Sequence, residues 1–389
     1  MIKKILTIAS EFNGEHVRYQ PWRQIYEVGK IFSQRGIEFV IGTNNAEEKS
    51  VKGLKILRLD QKKLRILSKT SKEKILQFKP DVILWMGNPL SGTYIKKNSI
   101  DNIPIILYIS SVHMGWKELK NLTLREIFQS NLLNFFTAFF PLKNLVKNLN
   151  HKNISFIIVP NNTIRECLIQ LGVSKHKIVK IPLCFESDIE LDKLKKIKDK
   201  KKPFTVCYLG PSSSIRGTGI LLEVIKLLKK DGYNILLNFL LRSPKPDIEK
   251  AYFKKICEKK GISENVEIKA GFLTEQVLFQ EIANSDIVVI PTKYVWNEPP
   301  LAILESMMLG KPVVTSNVCG LPELVSNLGF CTDPNEKSFF NCIKSLIDNP
   351  QLLEETGKKG KLFVNSLPGW DEMANSILKT MELACQKQE

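Results

Sequence analysis

Two glutamates lie seven residues apart in the stretch WNEPPLAILESMMLGKPVV, which spans residues 296–314. Glu298 stands directly before Pro299 and Pro300, and Glu305 lies in the helix-like run that follows. Proline suits the first turn of a helix, where backbone N–H groups have no partner within the helix. Seven residues make about two helical turns, so both carboxylates can face the same side. The free N–H groups at such a helix start, together with the helix dipole, favour a bound anion.

Two interpretations of this stretch remain open. In the first, the diphosphate of a nucleotide sugar lies at the helix start, against Pro299, Pro300 and Leu301. Glu298 then accepts hydrogen bonds from sugar hydroxyls, and Glu305 reaches the ribose hydroxyls. In the second, the two glutamates only complement the positive end of the helix dipole.

A second group of candidate residues lies in CYLGPSSSIRGTGILLEV, residues 207–224. A predicted strand ends at Gly210, a loop of small residues follows, and Arg216 opens a predicted helix. Small residues let backbone N–H groups approach a phosphate, and an arginine can bind it through two hydrogen bonds. Arg242 follows the strand-like LLNFLL and is another cation at the carboxyl end of a strand. The alternatives are an ordinary strand-to-helix turn with a surface arginine, and an Arg242 paired with a carboxylate.

Three residues of the N-terminal half also follow predicted strands. Gly14, in SEFNGEH, can let the backbone approach a ligand across a cleft. Ser110 and His113 lie in ISSVHMG after another strand. A histidine there can hydrogen-bond a sugar or take part in proton transfer. The alternative for His113 is a solvated loop histidine.

The composition narrows the class of protein. The chain has 389 residues, of which 43% are hydrophobic and 25% charged, as in globular proteins. Its net charge of +17 favours anionic partners, or reflects a biased genome. Eight cysteines without a CxxC pair indicate a reducing cytoplasm rather than disulfides or a zinc site. No apolar run reaches about 18 residues, so we expect no spanning helix, and the start MIKKILTIAS is typical of a first strand.

The order of elements predicts an α/β fold. Strands such as KPDVILWMGN and IPIILYISS are nearly all apolar and alternate with helical patterns, as in a parallel sheet covered on both faces. The lysine-rich DIELDKLKKIKDKKKP interrupts this alternation, which restarts at PFTVCYLG. We therefore predict two doubly wound Rossmann-like domains, residues 1–186 and 203–365, joined by a linker over 187–202. They face each other across a cleft at the carboxyl ends of both sheets, where ligands are expected.

Taken together, these stretches resemble the group 1 glycosyltransferases, retaining enzymes of the GT-B fold. The resemblance rests on YLGPSSSIRG, NSDIVVIP, NEPPLAILESMMLGKPVVTSN and CGLPELV, with support from SQRGIEFVIGTN and TIRECLIQLGVSKHKIVKIPL. It covers nearly the whole chain and is strongest over residues 208–325. LPGWDEMANSIL resembles the terminal helix of the family, which implies that residues 366–389 return to the first domain.

The sequence departs from the family pattern at the two glutamates. Seven residues usually separate them, whereas six separate Glu298 from Glu305, and Asn297 holds the position that seven would require. Either the loop is one residue shorter or Asn297 replaces the first carboxylate. We assign the role to Glu298.

Other departures concern the loops around the predicted cleft. Pro211 replaces a usual arginine, so Arg216 matches the remaining phosphate-binding cation. The usual histidine of the first domain corresponds to Ser110 rather than His113, and the usual glycine pair is reduced to Gly14.

The resemblance implies transfer of a sugar from a nucleotide diphosphate sugar to an acceptor hydroxyl, with retained anomeric configuration. Glu298, Arg216 and His113 are then the catalytic residues. The implied substrate-binding residues are Gly14, Ser110, Gly210, Arg242, Pro299, Pro300, Leu301 and Glu305. Members of the family generally need no metal, and we expect no cofactor. Basic residues and helix N–H groups stabilise the leaving diphosphate instead.

The expected acceptor is a glycan, a glycolipid or a lipid-linked saccharide, as in polysaccharide biosynthesis. SNLLNFFTAFFPLKNLVKNLNHK, residues 130–152, is apolar, rich in asparagine and followed by lysine. It is either an amphipathic helix on an anionic membrane surface or a helix packed inside the first domain and broken at Pro141. We expect a cytoplasmic protein, and only the first of these interpretations places it at the inner face of the membrane.

Two other functions remain compatible with the sequence. A sugar-nucleotide epimerase of the same fold would bind the donor without an acceptor. A non-catalytic polyanion-binding protein would account for the charge of +17 but not for the paired glutamates. Basic patches interleaved with aromatic residues are missing from the sequence, so we expect no nucleic-acid partner.

Overall fold

The computed structural model of this chain describes residues 2–44, 49–62, 66–98, 100, 103–129, 141–182, 184–186, 194 and 202–387. Two α/β units follow each other along the chain, and each is built on a largely parallel sheet. This architecture confirms the predicted pair of Rossmann-like units, called here the first half (residues 2–186) and the second half (residues 202–367). Apart from residues 194 and 202, the predicted linker lies outside the described residues.

The first half contains one large sheet and a small hairpin. Its strands are β1 (Lys4–Ile8), β2 (Glu38–Thr43), β3 (Ser50–Val51), β4 (Leu54–Arg58), β5 (Gln61–Lys62), β6 (Ile66–Leu67), β7 (Val82–Gly87), β8 (Ile105–Ile109), β9 (Ile154–Val159) and β10 (Ile178–Lys180). The large sheet has the order β10-β9-β8-β7-β1-β2-β4-β3 and is parallel except for β3 beside β4. All five residues of β8 are buried, as expected for a central strand that is covered on both faces.

Helices cover this sheet. They are α1 (Trp22–Gln34), α2 (Lys69–Phe78), α3 (Ser91–Asn98), α4 (Trp116–Leu119), α5 (Leu124–Gln129), α6 (Leu142–Leu149) and α7 (Asn162–Gln170), with 3-10 turns at His16–Arg18 and Lys175–Lys177. Helix α1 buries Ile25, Val28 and Phe32, which recur at helical spacing. The chain leaves α1 through Gly36, whose φ of +78° belongs to the left-handed region.

The second half repeats the design with six strands. They are β11 (Phe204–Pro211), β12 (Ile235–Arg242), β13 (Val266–Ala270), β14 (Ile287–Ile290), β15 (Val313–Ser316) and β16 (Phe330–Thr332). All pairs are parallel, in the order β13-β12-β11-β14-β15-β16. The strand order reverses direction between β11 and β14, and open α/β sheets bind ligands at the carboxyl ends of such a pair.

The helices of the second half complete its two layers. They are α8 (Thr218–Lys230), α9 (Pro246–Lys260), α10 (Glu275–Ala283), α11 (Leu301–Met308), α12 (Leu321–Val325), α13 (Glu336–Ile347) and α14 (Pro350–Asn365), with 3-10 turns at Ser214–Arg216 and Ser263–Asn265. The last helix, α15 (Trp370–Gln386), packs on the first half: its Trp370, Met373 and Ile377 share a core with Ile25 and Phe32 of α1.

The segment considered for membrane contact is only partly described. Residues 130–140 lie outside the described residues. Helix α6 begins after Pro141, and its Leu145 and Leu149 are fully buried in the core of the first half. For residues 142–149 this packing favours the alternative of a helix inside the first domain. Among the described helices, none is both long enough and apolar enough to cross a bilayer.

Candidate active site

Two cavities lie side by side between the halves. The first, the arginine cavity, has a volume of about 290 Å³ and is lined by Arg18, Arg216 and Arg242 among others. The second, the serine cavity, has a volume of about 280 Å³ and is lined by Ser110, Ser111 and His113 among others. Three residues line both cavities and mark their junction: Trp22, Trp296 and Asn297. The cavities are therefore two compartments of one cleft.

The arginine cavity is formed where β11 and β12 end. These strands are parallel neighbours, so Gly210 near the end of β11 and Arg242 at the end of β12 reach the same edge of the sheet. Arg216 comes from the 3-10 turn that follows β11. Gly217 closes this turn with a φ of +74°, and a Cβ there would lie 1.8 Å from the carbonyl oxygen of Pro291. Only glycine lets the turn hold Arg216 in this position.

The two arginines of the second half concentrate positive charge in this cavity. Burial lowers the pKa of Arg216, and the charge of Arg242 lowers it further, while Tyr208 acts in the opposite direction. Burial also lowers the pKa of Arg242. Among the described residues, neither guanidinium lies within ion-pair distance of a carboxylate, although the charge of Glu305 in the same cavity raises the pKa of Arg242. An anion bound between them would relieve the cost of burying two like charges.

Helix α11 starts at the wall of the arginine cavity. Pro299, Pro300 and Leu301 all line this cavity, so the N-terminal end of the helix faces it. Glu305, one turn further, lines the cavity too and is buried. Burial raises the pKa of Glu305 to about 7, although the charges of nearby arginines lower it. Near neutral pH this carboxyl group can therefore both donate and accept hydrogen bonds, as contact with hydroxyl groups requires.

The structure separates Asn297 from Glu298 and corrects the expected placement of Glu298. Asn297 lies at the junction of the two cavities, where its Oδ1 accepts a hydrogen bond from the Ser110 hydroxyl at 3.0 Å. Glu298 lines neither of these cavities and is 97% buried on the other side of the loop. Of the two alternatives for this loop, the geometry favours Asn297 as the residue that replaces a carboxylate in the cleft.

Glu298 instead joins the two halves. Its Oε1 accepts a hydrogen bond from the Gly320 amide at 2.9 Å, and its Oε2 accepts a short one from the side-chain amide of Asn161 in the first half. Its own amide donates to the Ser110 carbonyl at 2.7 Å. Burial raises the pKa of Glu298 to about 7, against the opposing effect of its hydrogen bonds. A third cavity of about 230 Å³, the interdomain cavity, lies on this side of the loop.

Ser110 and His113 line the serine cavity. Ser110 follows β8 and is fixed by its hydrogen bonds with the Asn297 loop. His113 is 92% buried, so it is not the solvated histidine of the alternative interpretation. Burial lowers its pKa, although Glu118 acts in the opposite direction, and the ring is therefore neutral at pH 7. Its Nδ1 atom is buried without a hydrogen-bond partner among the described residues.

Gly14 does not have the predicted place in the site. It is exposed and lines none of the three cavities. Other residues of the same loop, Ser10 and Glu11, line the serine cavity instead. Glu11 has a φ of +59°, unusual for a residue with a side chain, so the tight turn of this loop lies at Glu11 rather than at Gly14.

Residues of the segment HVRYQPW line the arginine cavity from the first half, and the sequence analysis missed them. Arg18, Tyr19, Gln20 and Trp22 all belong to its wall. The Tyr19 ring lies 4.1 Å from the guanidinium carbon of Arg242, a cation–π contact between the halves. The available signal was one cation and two aromatic residues, Arg18, Tyr19 and Trp22, which lie 10 to 14 positions after the end of β1. This combination of residues matches no sequence motif, and its contacts depend on the packing of the two halves.

The loop after β14 makes two polar contacts between the halves, beside the cleft. Lys293 forms a buried ion pair with Glu126 of the first half, with Nζ 2.9 Å from Oε1. The Tyr294 hydroxyl donates to the carbonyl of Val112 at 2.7 Å. Both contacts lie a few residues before Asn297, and they fix this loop on the serine cavity. Across the described parts of the chain, no group of three His, Cys, Asp or Glu side chains is placed to hold a metal ion.

Comparisons with known proteins agree with this geometry. Residues 190–363 match the family model of group 1 glycosyl transferases. Similar curated proteins include an uncharacterized 41.2 kDa protein in a cps region of Klebsiella pneumoniae, 25% identical over 169 residues and 42% of each chain. Spore coat protein SA of Bacillus subtilis is 24% identical over 183 residues, 46% of this chain and 48% of that protein. The chain thus aligns with less than half the length of these relatives.

Solved structures match over nearly the full length. Sucrose-phosphate synthase from Thermosynechococcus elongatus has a TM-score of 0.73 at 16% identity, with 98% of both chains covered. Anabaena HepE in complex with UDP and glucose has a TM-score of 0.69 at 15% identity, with 98% of this chain and 100% of that chain covered. The two-domain fold is therefore shared over 98% of the chain, and the predicted resemblance to group 1 glycosyl transferases is confirmed over residues 190–363.

Proposed function

We propose that this chain, whose residues 190–363 match the family model of group 1 glycosyl transferases, transfers a sugar from a nucleotide diphosphate sugar to an acceptor hydroxyl. One observation carries this proposal: a cavity lined by three arginines and a cavity lined by Ser110, Ser111 and His113 meet at Asn297, in the cleft between the halves. A donor in the first and an acceptor in the second would bring their reacting atoms together at that junction.

The donor occupies the arginine cavity in this proposal. Its diphosphate lies between Arg216 and Arg242, and the free N–H groups at the start of α11 add hydrogen bonds to it. Gly210 has no side chain to block this approach. Glu305, with its pKa near 7, hydrogen-bonds the ribose hydroxyls. The complexes of Anabaena HepE contain UDP or UDP-glucose, which supports a UDP-sugar as the donor to test first.

The acceptor occupies the serine cavity, with its hydroxyl near Ser110 and the neutral His113. Trp22, Trp296 and Asn297 line the junction, and none of them carries a carboxylate. We therefore propose a front-face displacement, in which the acceptor oxygen approaches the anomeric carbon from the same face that the diphosphate leaves, so that the configuration is retained. The acceptor oxygen bonds to the anomeric carbon as the carbon–oxygen bond to the diphosphate breaks. The acceptor proton passes to a diphosphate oxygen, and the arginines stabilise the charge on the leaving group without a metal ion.

The acceptor class and the place of reaction are further parts of the proposal. The names of the relatives, from a cps region and a spore coat, support a role in surface polysaccharide synthesis. A glycan, glycolipid or lipid-linked saccharide is then the acceptor, reached at an anionic membrane surface. Flotation with vesicles containing about 30% anionic lipid tests that contact at low salt. No binding there would remove the membrane from the proposal.

The experiment that tests sugar transfer has two steps. A thermal-shift panel with UDP-, GDP- and ADP-sugars identifies the donor, because a bound ligand must raise the melting temperature. Transfer of that sugar to saccharide acceptors is then followed by NMR, which also reports the anomeric configuration. Arg216→Ala should abolish the shift and the transfer. Arg35→Ala is the matched control, since Arg35 pairs with Asp371 and Asn375 on α15, outside the cleft.

The same assay separates the other candidate functions. An epimerase would convert the nucleotide sugar without any acceptor, and it has no use for the serine cavity. A polyanion-binding protein would bind nucleic acid in a salt-sensitive way and give no shift with nucleotide sugars. Epimer formation in the absence of acceptor, or no response to any nucleotide sugar, would overturn the transferase proposal. We expect sugar transfer to continue at the same rate in excess EDTA. A loss of transfer in EDTA would contradict metal independence.

A further inference from the structure

We propose that Arg18, although it belongs to the first half, binds the diphosphate of the donor in the arginine cavity. The inference rests on the proposed function, because it assigns a third cation to the same donor. The resemblance to the group 1 glycosyltransferases placed the phosphate-binding residues only in the second half. Arg18 would be a phosphate-binding residue of the first half.

The position of Arg18 is the first step of the argument. It ends the 3-10 turn His16–Arg18, which follows the loop after β1. Its side chain reaches across the cleft, where Nη1 donates to the carbonyl oxygen of Leu273 at 3.0 Å. Leu273 follows β13 in the second half and lines the arginine cavity together with Arg18. This side chain of the first half is therefore already held in the wall of a cavity built mainly by the second half.

The charge of the cavity is the second step. Three guanidinium groups line it, those of Arg18, Arg216 and Arg242, and the single carboxyl group in its described wall is Glu305. Burial holds the pKa of Glu305 at about 7, so this carboxyl group is only partly charged at neutral pH. The surplus of two to three positive charges matches a nucleoside diphosphate, whose phosphates carry two to three negative charges. Arg18 supplies a third of the positive charge.

The donor capacity of Arg18 is the third step. A guanidinium has five N–H donors, and the Leu273 carbonyl takes one of them. A backbone carbonyl neutralises no charge, and Arg18 forms no ion pair with any described carboxylate. The guanidinium of Arg18 therefore has N–H donors and its full positive charge available for a ligand in the arginine cavity. A phosphate oxygen uses both, whereas a base or a ribose hydroxyl uses hydrogen bonds alone.

Titration calorimetry with matched ligands tests this assignment. The ligands are UDP, UMP and uridine, or the corresponding series if the thermal-shift panel selects another base. We expect Arg18→Ala to weaken UDP binding about 10- to 100-fold, the usual worth of a charged hydrogen bond. Uridine binding should change less than about twofold, since only the phosphate contact is lost. Arg18→Lys keeps the charge without the fork and should lie in between.

Arg35→Ala serves as the control here too, because Arg35 is another arginine of the first half but contacts α15. It should bind all three ligands like the unmodified protein. Equal weakening of UDP and uridine by Arg18→Ala would place the side chain at the nucleoside and overturn the assignment. Unchanged UDP binding would overturn it as well, with the proposed function intact. If the unmodified protein binds no nucleoside diphosphate, the proposed function fails first and the assignment falls with it.

Discussion

Replacing Glu298 by glutamine tests whether this residue belongs to the contact between the halves rather than to the cleft. The carboxyl group is 97% buried, and burial raises its pKa from 4.5 to about 7. A raised pKa means that the folded protein holds the proton more tightly than the unfolded chain. The stabilisation is then complete below about pH 4.5 and is lost as the pH rises through 7.

The magnitude follows from the size of the shift. A shift of about 2.5 pKa units corresponds to roughly 3 kcal/mol of unfolding free energy. For a chain of 389 residues the unfolding entropy is about 0.8 kcal/mol per kelvin. The loss therefore amounts to about 4 °C in melting temperature. Glutamine cannot ionise and keeps an acceptor for the Gly320 amide, so Glu298→Gln should escape this loss.

The assay is thermal unfolding of both proteins between pH 5 and pH 9. Glutamine loses the hydrogen bond accepted from Asn161 at every pH, so the comparison rests on the change with pH: from pH 5 to pH 9 the difference in melting temperature should move by about 3 °C in favour of Glu298→Gln, because part of the stabilisation is already lost at pH 5. Glu323 provides a control of opposite sign at the same contact. Partial burial alone would raise its pKa, but hydrogen bonds from the amides of Asn162 and Thr163 lower it overall. The stability that Glu323 contributes is therefore already present above pH 4.5 and is lost only at more acidic pH, so Glu323→Gln and the unmodified protein should keep a constant difference between pH 5 and pH 9.

A constant difference between the melting curves of Glu298→Gln and the unmodified protein over this range would refute the reasoning. It would mean that the carboxyl group does not exchange its proton between pH 5 and pH 9. Burial in the contact between the halves would then not describe its surroundings, and a place for Glu298 in the solvated cleft would be restored.

Three further predictions concern the junction and the contacts beside it. Asn297→Ala should lower kcat/KM about tenfold or more at pH 6, because one hydrogen bond to the substrate is lost. Glu298→Gln should lower kcat/KM less. The reverse order would contradict the placement of Asn297 in the cleft and of Glu298 outside it. Gly320→Ala should cost about 1–3 kcal/mol, seen as a lower melting temperature, because a Cβ there would lie 2.0 Å from Oε2 of Glu298. Lys293→Ala should cost about 3–5 kcal/mol by leaving Glu126 buried and unpaired, and the double alanine variant should be the more stable of the two.

The fold was predictable because it rests on local patterns. Strands such as β7 and β8 are runs of five or six mostly buried apolar residues, and this pattern is specific to sheets covered on both faces. The turn around Gly210 and Arg216 was predictable for the same reason, since a strand, a loop of small residues and a helix follow each other within 20 residues. The start of α11 was marked by its two prolines.

The side on which a loop residue lies was not predictable. Asn297 and Glu298 are adjacent, yet one reaches the junction of the cavities and the other reaches Asn161 and Gly320. No periodicity applies in the loop before α11, so the sequence offered two candidates and no physical rule to choose between them. Arg18 was missed for a different reason. Its partner Leu273 is 255 residues away, and only the packing of the halves brings them together.

The loop before α11 links three parts of the molecule within six residues. Asn297 marks the junction of the cavities, Glu298 binds both halves, and Leu301 begins the helix that faces the arginine cavity. Because these residues are consecutive or nearly so, a shift of one half against the other must move Asn297 and the start of α11 together. The contact through Glu298 therefore fixes Asn297 relative to the arginine cavity, which in the proposed function sets the distance between donor and acceptor. A buried polar contact outside the cleft can in this way control the geometry of transfer without touching either substrate.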